Sequence, residues 1–194
     1  MRRRTFDAIA TAAGLALAAI LLVAGGLLMW GHSFVDSQVH SQLAAQKIYF
    51  PPAGSPAIKA PEFAAMHQYA GQMMTSGAQA EVYADHFIAN HLKEIGGSQT
   101  YAQLSAKALA QPKNTALAAQ VEEMFRGTAL RGMLLNAYAF WKMGQIALWG
   151  AIASFAGAAI LALLSILGIA HLRRTPPQTE MLRGLATTGP VTTT

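Results

Sequence analysis

Residues 128–174 read TALRGMLLNAYAFWKMGQIALWGAIASFAGAAILALLSILGIAHLRR, with no proline, and the rest of the chain is organised around them. From 143 to 170 there is no Asp, Glu, Lys, Arg or His. That run exceeds the roughly 20 apolar residues needed to cross a bilayer, so a transmembrane helix is expected there. Upstream of Lys142 the helical register continues through Leu130, Leu134, Ala137, Tyr138 and Trp141, now as a one-sided apolar stripe. One long helix is therefore expected to leave the membrane and join a folded domain. At its full length it would run to about 70 Å, about twice the hydrocarbon thickness.

Charge supports a membrane setting. Of 194 residues, 53% are hydrophobic and only 12% charged, against about 25% charged in an ordinary soluble domain. Residues 31–142 carry eight basic and seven acidic side chains. The two ends hold Arg2, Arg3, Arg4, Arg173, Arg174 and Arg183 against Asp7 and Glu180. Basic flanks stay on the cytoplasmic side, so both termini are expected inside a bacterial plasma membrane and the middle outside it. Nucleic-acid binding loses its motive, because the basic excess belongs to bilayer flanks. Cysteine is absent, so disulfides cannot brace the outer domain.

These constraints give an order along the chain. Residues 1–7 form a cytoplasmic basic arm, and 8–30 form a second uncharged apolar run, the first transmembrane helix. A cleaved signal peptide is the competing reading. The run is longer than an h-region of about 7–15 residues and has no clear cleavage site, which favours a retained span. Trp30, Trp141 and Trp149 suit an interfacial aromatic belt. Small residues recur at four-residue spacing, as Ala10, Gly14 and Ala18 in the first span and as Ala153 with Gly157, and Ser154, Ala158 and Ala162, in the second. Such spacing permits close helix packing in lipid.

Residues 31–142 are expected to be an extracytoplasmic all-α domain. The first helix continues outward through Val35, Val39, Leu43 and Gln46. Pro51, Pro52, Gly54, Pro56 and Pro61 then break it, and Ile48-Tyr49-Phe50 before them reads as an extended apolar piece tucked under the domain. Four short helices follow by period. Phe63, Met66, Ala70, Met73 and Met74 mark the first, ended by Ser76-Gly77; Ala84, Ile88, Leu92 and Ile95 mark the second, stopped by Gly96-Gly97. Tyr101, Leu104 and Ala108 mark the third. Leu117, Val121, Met124 and Phe125 mark the fourth, with Asn114 or Thr115 as N-cap and Gly127 as terminator, leaving Thr128 to cap the long helix. Residues 171–194 are a cytoplasmic tail expected to be disordered.

No catalytic inventory emerges. There is no cysteine nucleophile, nucleophile elbow, phosphate loop or H-E-x-x-H pair, so no enzyme activity, cofactor or small-molecule substrate is expected. His86 and His91 sit five apart, roughly 140° round an α-helix, and cannot chelate one ion from one helix. His91 falls on an apolar face and reads as a hydrogen-bonded core residue, His86 as polar-side. Met66, His67, Met73 and Met74 invite a copper reading, but their spacing on an apolar stripe is better explained by core packing. No metal site is expected. Uncharged spans also lack the ionisable residues of an ion path. The candidate interface residues are Tyr49, Phe50, Pro51 and Pro52 in the loop, Arg126 and Arg131 on the outer part of the long helix, and Ala153 and Gly157 in its span.

The segments MRRRTFDAIATAAGLAL, QLAAQKIYFPPAGS, SQTYAQLSAKAL and FRGTALRGMLLNAYAFW together resemble a family of small two-span actinobacterial membrane proteins. The plan is similar to an association factor at the periphery of the mycobacterial cytochrome bcc–oxidase respiratory supercomplex. A ring-opening dioxygenase label sometimes attached to such proteins finds no His-rich iron constellation here. The resemblance implies an accessory or scaffolding subunit in the plasma membrane, with other integral membrane subunits, the cytochrome bcc–oxidase complex among them, and lipid as partners. An extracytoplasmic binder of a small ligand, lipid or metal is the alternative. A sensor is less fitting, because the tail is short for an output domain.

Overall fold

In the computed structural model, residues 3–174 are described; the first two residues of the basic arm and 175–194 of the expected tail lie outside them, while 171–174, expected in that disordered tail, instead continue the last helix. Five α-helices follow in order: α1 (Arg3–Gln46), α2 (Gly77–Val82), α3 (Ala89–Gly96), α4 (Tyr101–Ala110) and α5 (Thr115–Arg174). A π-helical segment, Tyr83–Ile88, joins α2 to α3, and 3-10 helices occupy Pro56–Ile58 and Pro61–Tyr69. Among the described residues there is no strand, only an isolated bridge between Tyr49 and Met73. Two helices are long and apolar enough to cross a membrane. Each holds an 18-residue window of mean hydropathy 2.4 with only 11% of it buried, unlike the core helix of a water-soluble protein.

The chain divides into two compact units. The first comprises the described parts of Met1–Trp30 and Ala147–Thr194. Its two helical stretches meet along a seam in which Thr11, Gly14, Ala18, Leu21 and Gly25 face inward, as do Ala151, Ser154, Ala158, Leu161, Ser165 and Gly168. The alternating steps of three and four are the repeat of a left-handed coiled-coil contact. Small groups set the separation: a Cβ on Gly14 would lie 2.6 Å from Ser165 Oγ, and one on Gly168 would lie 2.6 Å from Thr11 Oγ1. Gly157 faces Leu21, as its small size permits. Ala10 and Ala153 are exposed instead. The four-residue spacing read from sequence therefore finds the right kind of residue and only part of the seam, because a packed pair selects a 3.5-residue repeat.

The second unit is Gly31–Ile146. Its core gathers Val39 and Leu43 of α1, Phe50 and Ile58 of the following loop, Phe63, Met66, Met74, Ala80, Ala84 and Ile88, and Leu134 of α5. Phe50, Ile58, Met66 and Met74 are the largest fully buried side chains. Two of the methionines of the copper reading are thus core filling, and His67 holds the carbonyl of Ile58 at 2.7 Å through Nε2.

Several boundaries differ from expectation for packing reasons. Gly127 does not stop a helix: α5 runs unbroken through Thr128, and a Cβ at Gly127 would lie 2.6 Å from Leu92 Cδ2. Its glycine admits α3, so a residue with the signature of a terminator serves as a contact. Asn114 caps the start of α5, its Oδ1 accepting from the Leu117 N–H at 3.0 Å. Ser76 begins a helix where an ending was expected. Its hydroxyl accepts from the Gln79 N–H, and the buried Gln79 Oε1 accepts from the Thr75 and Ser76 N–H groups at 2.7 and 3.1 Å. The stretch before it is a 3-10 helix ending at Tyr69, after which Gly71 adopts φ +72° and the chain turns back. Met73 and Met74 accordingly lie on an extended piece, where the Met74 N–H donates to Ile48 O and the Phe50 N–H to Gln72 O.

Candidate functional site

Of the expected interface residues, the loop group divides between core and surface. The Phe50 side chain is buried against the rings of Tyr69 and Tyr83, each with its centroid 5.3 Å away. Burial also pushes the Tyr83 phenol above its ordinary pKa. Tyr49 is exposed, as alternation about its bridge to Met73 requires, and Pro52 is exposed beside it. Pro51 accepts the Gly71 N–H through its carbonyl. Phe50 therefore plugs the domain, while Tyr49 and Pro52 present outward.

The arginines of α5 are already engaged. Arg126 Nε donates to Glu122 one turn earlier, on the solvent side, at 2.9 Å. Arg131 Nη2 donates to Asp85 at 2.6 Å, joining α5 to the π-helical segment. They sit five residues apart, roughly 140° round the helix, so they do not form one basic patch. Ala153 and Gly157 belong to the other unit.

The histidines are placed by backbone contacts. His91 Nδ1 meets Phe87 O at 2.8 Å, with its ring 4.3 Å from that of Phe87, in keeping with a hydrogen-bonded residue on an apolar face. His86 Nδ1 meets Glu62 O at 3.0 Å and His32 Nδ1 meets Gly144 O at 3.0 Å. Among the described residues no three His, Cys, Asp or Glu side chains are grouped as metal ligands would be. The angle between His86 and His91 assumed a regular α-helix; the π-helical segment, in which the Ala89 N–H reaches Ala84 O, widens that turn.

A surface not anticipated from the sequence is more suggestive. Along one side of the second unit, α1 and α5 flank a groove of about 640 Å³. Phe34, Val35, Leu43, Met133, Ala137 and Phe140 contribute to its apolar walls, and Gln38, Gln42, Gln46 and Asn136 supply its only strongly polar side chains. No ionisable group lines it. Phe34, Met133 and Phe140 are more than half exposed. A signal for it exists in the sequence: Leu130, Met133, Ala137 and Phe140 form a second helical stripe, adjacent to the core-facing stripe of Leu134, Tyr138 and Trp141. Trp141 itself is drawn into the fold, where a Cβ on Gly77 would lie 2.3 Å from its Cβ.

Comparison with protein-family models, curated proteins and solved structures gives no match.

Proposed function

We propose that this protein is a non-enzymatic accessory or scaffolding subunit of a larger complex in the bacterial plasma membrane. In this reading α1 crosses the bilayer through 8–30 and α5 through 143–170, with both termini cytoplasmic and 31–142 outside. The observation that carries it is the uncharged groove between α1 and α5. Exposed aromatic and thioether side chains in a contiguous apolar hollow are uncommon on a free soluble surface and are enriched where proteins dock. Neutral carboxamides among its lining residues suit an uncharged helix in the outer part of another membrane subunit, since they can hydrogen-bond without the desolvation cost of a charge. The resemblance noted above directs the first search to the cytochrome bcc–oxidase supercomplex.

The test is a mild-detergent pull-down of the tagged full-length protein from its native membrane, with mass spectrometry and visible spectroscopy of the eluate. Stoichiometric membrane subunits should co-elute, with haem absorbance if the respiratory complex is the partner. Met133→Lys, which places a charge in the groove at an exposed position, should release them while leaving the helical content unchanged. Recovery of the protein alone under the mildest conditions would refute the accessory role; a stoichiometric but colourless complex would refute the respiratory assignment only.

A further inference from the structure

A second cavity, of about 610 Å³, opens in the outer unit between the end of α3, the turn into α4, and α5. Its chemistry is unlike that of the groove. Lys93 and Arg131 contribute two cations, Ser98, Thr100, Tyr101 and Thr128 contribute hydroxyls, and none of the residues lining it is acidic. Leu92 and Met124 give it an apolar wall. Its size is within the roughly 300–1,000 Å³ of small-molecule sites.

The state of Arg131 gives the cavity its sign. Asp85 takes one end of the guanidinium through Nη2, but Nε is buried and has no hydrogen-bond partner. Lys93 adds an exposed ammonium that makes no ion pair within the 4.0 Å limit among the described residues. Counting Lys93 and Arg131 against Asp85, the site keeps a surplus of positive charge. The donors on offer, a guanidinium, an ammonium and several hydroxyls, match a tetrahedral group with several anionic oxygens.

We propose that this cavity binds a small organic phosphate, its phosphoryl oxygens held by the accessible end of the Arg131 guanidinium and by Lys93 Nζ and its apolar part resting on Leu92 and Met124. Arg131 lies twelve residues before the start of the uncharged run, about 18 Å along α5. A headgroup layer is only about 5–8 Å thick on each side of the hydrocarbon, so a soluble phosphate ester is favoured over a lipid headgroup as the source. The site is separate from the docking groove and stands whether or not the accessory role holds.

The full-length protein in nanodiscs of phosphatidylcholine, titrated calorimetrically with phenyl phosphate, tests this. Saturable one-to-one binding is expected, with inorganic phosphate weaker because it leaves the apolar wall uncovered. Lys93→Gln, at an exposed side chain with no internal hydrogen bond, should weaken binding about tenfold or more, in line with loss of a charge-assisted contact. Asp85→Asn should tighten it several-fold by releasing Arg131. Glu122→Gln, the same charge change on a pair outside the cavity, should leave it unaltered. The gain in Asp85→Asn separates a binding site from a variant that merely fails to fold. Absence of saturable binding, or equal effects of Asp85→Asn and Glu122→Gln, overturns the proposal. Loss of phenyl phosphate binding when phosphatidylglycerol replaces phosphatidylcholine overturns the soluble source and assigns the site to a lipid headgroup.

Discussion

The first unit buries its small residues and exposes its large ones; the second builds its core from large ones. Along the seam, Ala18, Ala151 and Ala158 are buried, while Ile20, Val23, Leu27, Leu163 and Leu167 point outward. In the second unit Phe50, Ile58, Met66 and Met74 are enclosed, and its charged side chains lie at exposed or half-buried positions. Burying an apolar side chain is worth roughly 25 cal/mol per Å² only where the alternative is water. Where the alternative is hydrocarbon, that gain disappears, and close backbone approach becomes the chief source of helix contact. In the membrane setting proposed above, two solvents, one apolar and one aqueous, account for the contrast along a single chain.

The contrast can be broken most severely at Phe50. Phe50→Ala removes the ring between Tyr69 and Tyr83 and should cost the second unit about 3–5 kcal/mol, read as a lowered urea midpoint for proteolysis within 31–146. Rapid cleavage there with the 147–174 stretch still protected would show that the two kinds of packing melt separately. A smaller loss is expected from Gly77→Ala, whose new methyl collides with Trp141. We expect about 1–3 kcal/mol, and a smaller added loss on a Trp141→Gly background, which removes the Cβ that the methyl meets; additive losses would mean that the two positions do not press on each other.

A third pair sharpens the comparison within the apolar unit. Ala158→Leu overfills the seam and should lower the thermal midpoint in nanodiscs by an amount corresponding to about 1–3 kcal/mol, whereas Ala159→Leu, on the exposed face, should be nearly silent. Equal effects would place the seam on a different face. The least consequence is expected at the Arg126 and Glu122 pair, which is fully on the solvent side. Glu122→Gln should change stability by less than about 0.5 kcal/mol at any salt concentration.

How much of this was legible varied with the kind of signal. Helix starts with a side-chain cap, such as Asn114, and a proline in the first turn, such as Pro61, could be read directly, because the responsible contacts lie within one turn. Helical spacing pointed to Met66 as a core residue and to His91 as a hydrogen-bonded residue on an apolar face; the structure buries Met66 fully and leaves His91 half-buried, its partner the Phe87 carbonyl. Glycines misled: Gly127 and Gly77 look like helix ends and are places where another side chain comes close. Whether a glycine answers to a backbone angle or to a neighbour depends on residues far away in sequence. The π-helical turn at Tyr83–Ile88 left no periodic trace either, and with it the pairing of Asp85 with Arg131 went unseen.

The sequence by itself determined the two uncharged apolar runs, the helical character of what lies between them, and the proline-bearing loop with Phe50 at its head. These depend on local composition, period and backbone chemistry, which the chain carries residue by residue. Only the tertiary structure decided that the seam follows a 3.5-residue repeat, that Arg126 and Arg131 are held by different partners, and that an uncharged groove and a cationic cavity occupy different sides of α5. Each of those depends on which residues, up to a hundred and more positions apart, are brought within a few ångströms. No local pattern encodes that distance.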